Sequence, residues 1–374
     1  MRHFKSGHVV QQKSYKSFQP NEINRSWSLD NMELIQLLGE ADRVLGKLDM
    51  YSEYIPNIDL FINMHVFKEA TQSSKIEGTQ TNIEDALLEK EDVALDKRDD
   101  WEEVQNYVVA MNEAISKLEH LPFSTRLICE THQTLMQGVR GKHKQPGEFR
   151  RSQNWIGGAT ISDAVFIPPT HHSISELMSD IEKFAHNQTQ YFPELLKIAL
   201  IHYQFETIHP FLDGNGRVGR LLITLYLVNK GILKRPILYL SDFFERNRSL
   251  YYDNLMRVRD KSDLLQWFKF FLVGVIETAK NGIITFDNIL KLQKKIEIEV
   301  QKLGSRATTA QKVVQYLYQR PMINVNKVAE VAEISLASAY KLIADLEPRI
   351  LKEVTGGKRG KVYVFAEYLN LFSK

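Results

Sequence analysis

Cysteine is almost missing from this 374-residue chain: it has one, Cys129, so no internal disulfide forms and a cross-linked secreted scaffold is excluded. Long apolar runs are missing too. The two most apolar stretches, 221–228 and 268–276, fall far short of the roughly 20 residues that cross a bilayer, so no membrane segment is expected. The first sixteen residues, MRHFKSGHVVQQKSYK, carry basic side chains with no apolar stretch behind them, so no signal peptide is recognised and the expected location is cytoplasmic. Neither sign of charge is in excess. With 48 Lys+Arg against 46 Asp+Glu, the formal net charge of +2 excludes a strongly polybasic protein. Internal repeats and low-complexity segments are absent. What remains is 43% hydrophobic and 25% charged residues, a globular composition, and at roughly 100 to 200 residues per domain the length fits two or three domains.

Helical periodicity dominates. Leu195, Ile198, Ala199, His202 and Phe205 follow the i, i+3, i+4, i+7 spacing of an amphipathic helix that starts after Pro193 and ends at His209-Pro210. Residues 221–228, LLITLYLV, are apolar on every side and closed by Gly231, which predicts a helix buried at the centre. Further helices are expected over about 33–48, 59–76, 101–118, 124–137, 173–187, 247–259 and 262–300. The exception is IGGATISDAVFIPP, 156–169, which reads as a hairpin. From Ser305 the tail carries 11 Lys+Arg against 6 Asp+Glu, and its order of three helices and two β-like runs outlines a winged helix-turn-helix. The fold expected is mainly α, with three regions: 1–100 as an N-terminal helical segment, 101–304 as the core with its hairpin, and 305–374 as the winged helix.

The chemistry gathers in 209–220, HPFLDGNGRVGR. Gly214 and Gly216 let the backbone turn so that successive N–H groups face one concavity at the start of the next helix, a nest that binds anions. Arg217 and Arg220, three apart, aim two guanidinium forks at one polyphosphate. Asp213, one residue before the nest, offers a hard oxygen to a divalent cation that bridges phosphates. His209, with its near-neutral pKa, suits the role of base toward an attacking hydroxyl. The glycines also match G-x-G-x-x-G, but a dinucleotide fold needs a strand before them and here a helix and an HPF turn precede. No Walker-type G-x-x-x-x-G-K-[ST], H-E-x-x-H or paired-cysteine zinc pattern occurs.

HPFLDGNGRVGR resembles the signature HPFx[DE]GNGRxxR of the Fic family at every fixed position. The resemblance implies an enzyme that transfers AMP from ATP, with Mg²⁺ as cofactor, to a Tyr, Thr or Ser hydroxyl of a protein target or of itself. It implies His209 as general base, Phe211 as the core anchor of the loop and Asp213 as the Mg²⁺ ligand. Gly214, Asn215 and Gly216 would form the anion hole, Arg217 would meet the phosphates, and Arg220 the γ-phosphate end. GEFRRSQNWIGG followed by AVFIPP is similar to the family's flap, an edge that aligns the target by main-chain pairing, with Ala164, Val165, Phe166 and Ile167 as its working part. Tyr251 and Tyr252 resemble a Tyr-Tyr pair near the adenine.

Upstream, Ser73 and Glu77 in SSKIEG stand one helical turn apart and share a face. They are similar to the family's inhibitory motif [ST]xxxE[GN], which implies that Glu77 occupies Arg220 and keeps basal activity low. A reversed activity that removes AMP, with Glu77 orienting a water, stays open at this point.

In the tail, the helix from Ser335 is expected to turn Leu336, Ala339, Leu342, Ile343 and Leu346 inward, and Arg349, Lys352, Lys358, Arg359 and Lys361 to surround the wing. Such a module takes DNA phosphates, a protein target or a second copy of the chain. The rival to an enzyme is therefore a DNA-binding regulator that senses nucleotide. His171, His172 and His202 lack ligand spacing and are read as structural or surface residues.

Overall fold

The computed structural model describes residues 4–55, 57–138, 143–189, 191–356 and 360–372. Its helices are α1 (Met32–Tyr54), α2 (Ile58–Ile76), α3 (Ile83–Leu87), α4 (Arg98–Lys117), α5 (Thr125–Leu135), α6 (Ile174–His186), α7 (Glu194–Ile208), α8 (Asn215–Asn229), α9 (Ser241–Arg246), α10 (Arg248–Lys261) and α11 (Leu264–Gln301); all but the short α3 and α9 follow the expected apolar spacing. Several start where a side chain caps them. Asn31 accepts the Leu34 N–H, Ser124 that of Leu127 and Asp263 that of Gln266, each cap contributing about 1 kcal/mol.

Helix α8 lies at the centre. Leu221, Leu222, Leu225, Tyr226 and Leu227 are fully buried, and burying a leucine stabilises by roughly 1.5 to 3 kcal/mol, which is why a helix apolar all round belongs there. The 38-residue α11, about 57 Å long at 1.5 Å per residue, packs along α1 and is tied to α7 by Trp267 Nε1 donating to Ala199 O at 2.9 Å.

The N-terminus departs from the expectation of strands in only two places. Strands β1 (Gly7–Gln11) and β2 (Lys16–Pro20) pair antiparallel, Val9 opposite Phe18. Their pairing partner lies five or more residues away and their apolar alternation is short, so local sequence carries little signal. The hairpin has a place in the site: Phe18 N–H donates to Ile167 O at 2.9 Å.

The predicted hairpin at 156–169 is reduced to one antiparallel bridge, Ile156 with Phe166. Gly157 and Gly158 at φ 68° and 75° and the Asp163 carboxylate, which accepts the Ala159 and Thr160 N–H groups, turn the segment between them into a self-capped loop. Pro168 and Pro169 lack the donors to extend a ladder.

Beyond Gly304 follow α12 (Ala307–Gln319), β3 (Met322–Asn324), α13 (Val325–Ala332), α14 (Leu336–Leu346), β4 (Lys352–Glu353), β5 (Val362–Val364) and α15 (Ala366–Leu369), with the strands in the antiparallel order β3-β5-β4. Ala339, Leu342, Ile343 and Leu346 face inward as expected, but Leu336 is 52% exposed because the first turn of α14 projects past the core. Lys358 and Arg359 lie outside the described residues. This part rests on α2: Phe61 meets Tyr318 at 5.1 Å and His65 meets Phe372 at 5.0 Å between ring centres.

Candidate active site

The site is built where α7 ends. His209 caps that helix in the left-handed region, φ 50° and ψ 62°, a conformation that costs a non-glycine residue roughly 1 kcal/mol or more. Its own backbone is gripped. The carbonyl of His209 accepts from Arg150 Nε at 2.9 Å and Asn154 Nδ2 at 3.3 Å. Asn215 then closes the turn on itself, its Oδ1 accepting the Phe211 N–H at 2.8 Å and its Nδ2 donating to Phe211 O at 2.9 Å. The fully buried Phe211 ring stacks on His132, 3.7 Å between centres.

Gly214, at φ 74°, leads into α8 as a turn of this hand requires. Asp213 Oδ1 accepts the Gly214 N–H at 2.6 Å, while Oδ2 makes no hydrogen bond to a described residue and the side chain is 47% exposed. One half-exposed carboxylate fits Mg²⁺, which keeps few protein ligands and takes the rest from phosphates and water. Among the described residues no group of three or more His, Cys, Asp or Glu is arranged for a metal of its own. From below, Asp213 O accepts from His132 Nε2 at 3.0 Å, and His132 Nδ1 accepts the Gly147 N–H at 2.8 Å, which places the single imidazole proton on Nε2.

Arg217 and Arg220 are both held. Arg217 Nη1 pairs with Glu103 at 3.0 Å and Nη2 touches Met136 Sδ. Arg220, with 1% of its side chain exposed, donates from Nε to Ser73 Oγ at 2.9 Å and from Nη2 to Ser73 O at 2.8 Å and Glu77 Oε1 at 2.7 Å. Helix α2 stops at this point because Gly78 takes φ 109°, so Glu77 leaves the helix end aimed at the nest. Burial pushes the Glu77 carboxyl up, but Arg220 and then Arg217 outweigh it and hold the pKa below the usual range; Glu77 is an anion at neutral pH.

Burial, and after it the Arg259 cation, pulls the His209 imidazole down to about 4, so it is neutral at pH 7 and free to accept a proton. Its Nδ1 is buried without a hydrogen-bond partner. On α7 beside it, burial raises the Glu206 carboxyl to about 7.

The flap residues lie apart in exposure. Val165 is 66% exposed, Phe166 is buried against Phe18 and Arg259, and Ala164 and Ile167 are half-buried. The tyrosine pair divides as well. Tyr251 is 1% exposed and its hydroxyl meets His202 Nε2 at 2.9 Å, whereas Tyr252 is 39% exposed and keeps a face free. Because His202 Nδ1 lies 2.8 Å from Gly219 O, which only accepts, the Nδ1 proton is fixed there and Tyr251 donates to Nε2; His202 is a fully buried strut rather than a surface residue.

Sequence reasoning passed over Arg150, His132 and Arg259. Arg150 is 2% exposed and donates also to Ser152 O, Pro169 O and Ile208 O, which ties both ends of the 152–169 segment to the turn at His209. The only signal for it was its place in GEFRR, directly before the flap. His132 sits on the apolar face of α5, where a histidine needs polar partners.

Comparison with known proteins bears on family and fold. The Fic/DOC family N-terminal model matches residues 35–116 and the Fic/DOC family model matches residues 122–227. The protein adenylyltransferase Fic of Aedes aegypti is 34% identical over 125 residues, 33% of this chain and 22% of that protein. The protein of the same name in Drosophila melanogaster is 27% identical over 209 residues, 54% of this chain and 39% of its own length. The chain thus spans well under half of the curated relatives it matches. A Fic family protein from Desulfovibrio desulfuricans G20 superposes over 91% of this chain and 98% of its own, with TM-score 0.58 at 18% identity. Fic-1 from C. elegans does so over 70% and 75%, with TM-score 0.52 at 21% identity, and both likenesses speak for the fold. With two adjoining family models that together lie over residues 35–116 and 122–227, the chain belongs to the Fic/DOC family.

Proposed function

We propose that the protein is an adenylyltransferase that moves AMP from ATP to a Tyr, Thr or Ser hydroxyl of a protein target or of itself, and that Glu77 holds it mostly silent. The observation that carries this reading is the neutral imidazole of His209 beside an anion nest whose second arginine, Arg220, is occupied by Ser73 and Glu77. With Glu77 withdrawn, the nest of Gly214, Asn215 and Gly216 receives the phosphates and Arg220 meets the γ-phosphate. Arg217 exchanges Glu103 for phosphate oxygens, and Tyr252 offers its exposed face to the base. The acceptor strand lies along Val165. Its hydroxyl oxygen bonds to the α-phosphorus as the α–β phosphoanhydride bond breaks, the hydroxyl proton passes to His209, and pyrophosphate leaves. Asp213 would hold Mg²⁺, which supplies charge neutralisation to the phosphates.

We further read the chain as three regions, 1–100, 101–304 and 305–374, the last a winged helix. The helix and strand order of the tail and the left-handed Gly304 at its start support that division. Its role is contact with a protein, with DNA or with a second copy. In α14 the exposed Leu336 and Tyr340 stand among few basic groups, which favours a protein. No described helix is long and apolar enough to cross a membrane. Intact-mass measurement of the Glu77→Gly protein after incubation with each nucleoside triphosphate and Mg²⁺ tests the reading. An AMP adduct with pyrophosphate release is expected; no adduct with any of the four, on itself or on lysate proteins, rejects transfer.

A further inference from the structure

Arg259 lies where the base, the flap and the N-terminal hairpin meet. It is 7% exposed near the end of α10 and makes no ion pair with a described residue. Its Nη2 donates to Glu206 O at 3.0 Å and its Nε to Thr207 Oγ1 at 3.2 Å, so two donors are committed to the last turn of α7, just before His209. The flat face of the same guanidinium covers the Phe166 ring at 3.9 Å, next to the exposed Val165. Its carbonyl accepts from Ser6 Oγ at 3.0 Å, which braces it from behind. A buried cation is costly unless its donors are satisfied. Here they are satisfied by a backbone carbonyl, a hydroxyl and an aromatic face, a set that fixes geometry and leaves the charge in place.

Resting on the transfer reading above, we propose that Arg259 is a positioning residue: it locks the acceptor-binding flap, through Phe166, and the His209-bearing end of α7 into one register. A planar fork is required, because one plane stacks on the ring while its edge reaches α7. The charge has a second consequence. The groups that face His209 are the charges of Arg259 from α10, Glu77 from the end of α2 and Arg150 from the segment before the flap, and the backbone of Glu206 from α7 itself. Of the charged side chains, Arg259 acts most strongly to keep the imidazole neutral, so its removal moves His209 toward protonation at higher pH.

The test uses the full chain with Arg259→Leu and Arg259→Lys, read first without substrate. Hydrogen exchange is followed over 156–167 and the His209 titration by NMR. Arg259→Leu is expected to speed exchange at Val165 and Phe166 at least tenfold and to raise the His209 midpoint. Arg259→Lys is expected to loosen the flap likewise while leaving the midpoint near the parent's. In the Glu77→Gly background, Arg259→Leu should also slow self-labelling from ATP tenfold or more, with ATP affinity within twofold. Unchanged flap exchange in a folded variant overturns the proposal, and Arg259→Lys alone decides this if the leucine variant fails to fold. Should the Glu77→Gly parent label nothing, the transfer reading falls, while exchange and titration still decide the role of Arg259.

Discussion

The carboxylate of Glu77 stands directly over the bare Cα of Gly216: a Cβ at that glycine would lie 2.1 Å from Glu77 Oε1. One side chain therefore fills the space above the nest and takes the charge partner of Arg220 at once. Glu77 sits at a helix C-terminus, the negative end of the dipole, and would be repelled there without the arginine. Its side chain is 36% exposed, so the pair is weaker than a fully buried one, which costs about 3 to 5 kcal/mol to break one-sidedly. We expect Glu77→Gly to raise AMP incorporation roughly tenfold to hundredfold, equivalent to about 1.4 to 2.8 kcal/mol, measured with labelled ATP. Equal rates in parent and variant would remove the brake.

How far the site was legible follows from what each residue depends on. The turn from His209 to Arg220 and the Ser73/Glu77 pair are each local, twelve consecutive residues and one helical turn, and the structure brings Arg220 onto Ser73 and Glu77. The helices were legible because burial imposes their period. Arg150, His132 and Arg259 were not, because each acts on backbone carbonyls or rings far along the chain and nothing nearby distinguishes them from surface residues. The same holds for Tyr251 and Tyr252, where only the packed helix decides which ring faces His202. Strands β1 and β2 owe their place to the flap base they cover, a long-range contact that their own residues do not announce.

In the proposed reaction His209 acts on the acceptor and not on the phosphates, so His209→Ala in the Glu77→Gly background is expected to abolish transfer and keep ATP affinity within about threefold. The base works unprotonated. With its pKa held at about 4, its own protonation should slow the rate only as pH falls toward that value, and in a Glu206→Gln protein, which lacks the neighbouring carboxyl raised to about 7, the rate should be flat from about pH 6 to 8. A limb near pH 6.5 in that protein, or loss of ATP binding in the alanine variant, would contradict the assigned role.

Stability should fall in mild acid for a related reason. His132 and His202 are fully buried, and burial holds them near 4 and 3, below the unfolded value of about 6.5. Below pH 6.5 the unfolded chain binds protons that the folded protein refuses. Stability is therefore complete above pH 6.5 and is lost as pH falls toward 4, at up to about 1.4 kcal/mol per pH unit for each histidine. Denaturant midpoints at pH 7 and pH 5 check this, and coincident midpoints would refute it.

Arg150 offers the sharpest structural test. Five donor contacts run from one guanidinium and its backbone to Ser152, Pro169, Ile208, His209 and Pro210, and together they hold His209 in a left-handed conformation it would not keep alone. Removing the side chain takes the donor from four carbonyl groups, of which His209 O keeps Asn154 Nδ2, and hydrogen bonds from a charged donor contribute about 1.5 to 3 kcal/mol each. We expect Arg150→Ala to lower unfolding free energy by about 3 kcal/mol or more. Lysine, with a single point charge, reaches one carbonyl at a time, so Arg150→Lys should recover part of the stability yet leave transfer at least tenfold down, because His209 relaxes from its cap. Stability from urea titration and self-labelling in the Glu77→Gly background separate the two effects. Full activity in a folded Arg150→Lys protein would show that the left-handed cap holds without the fork.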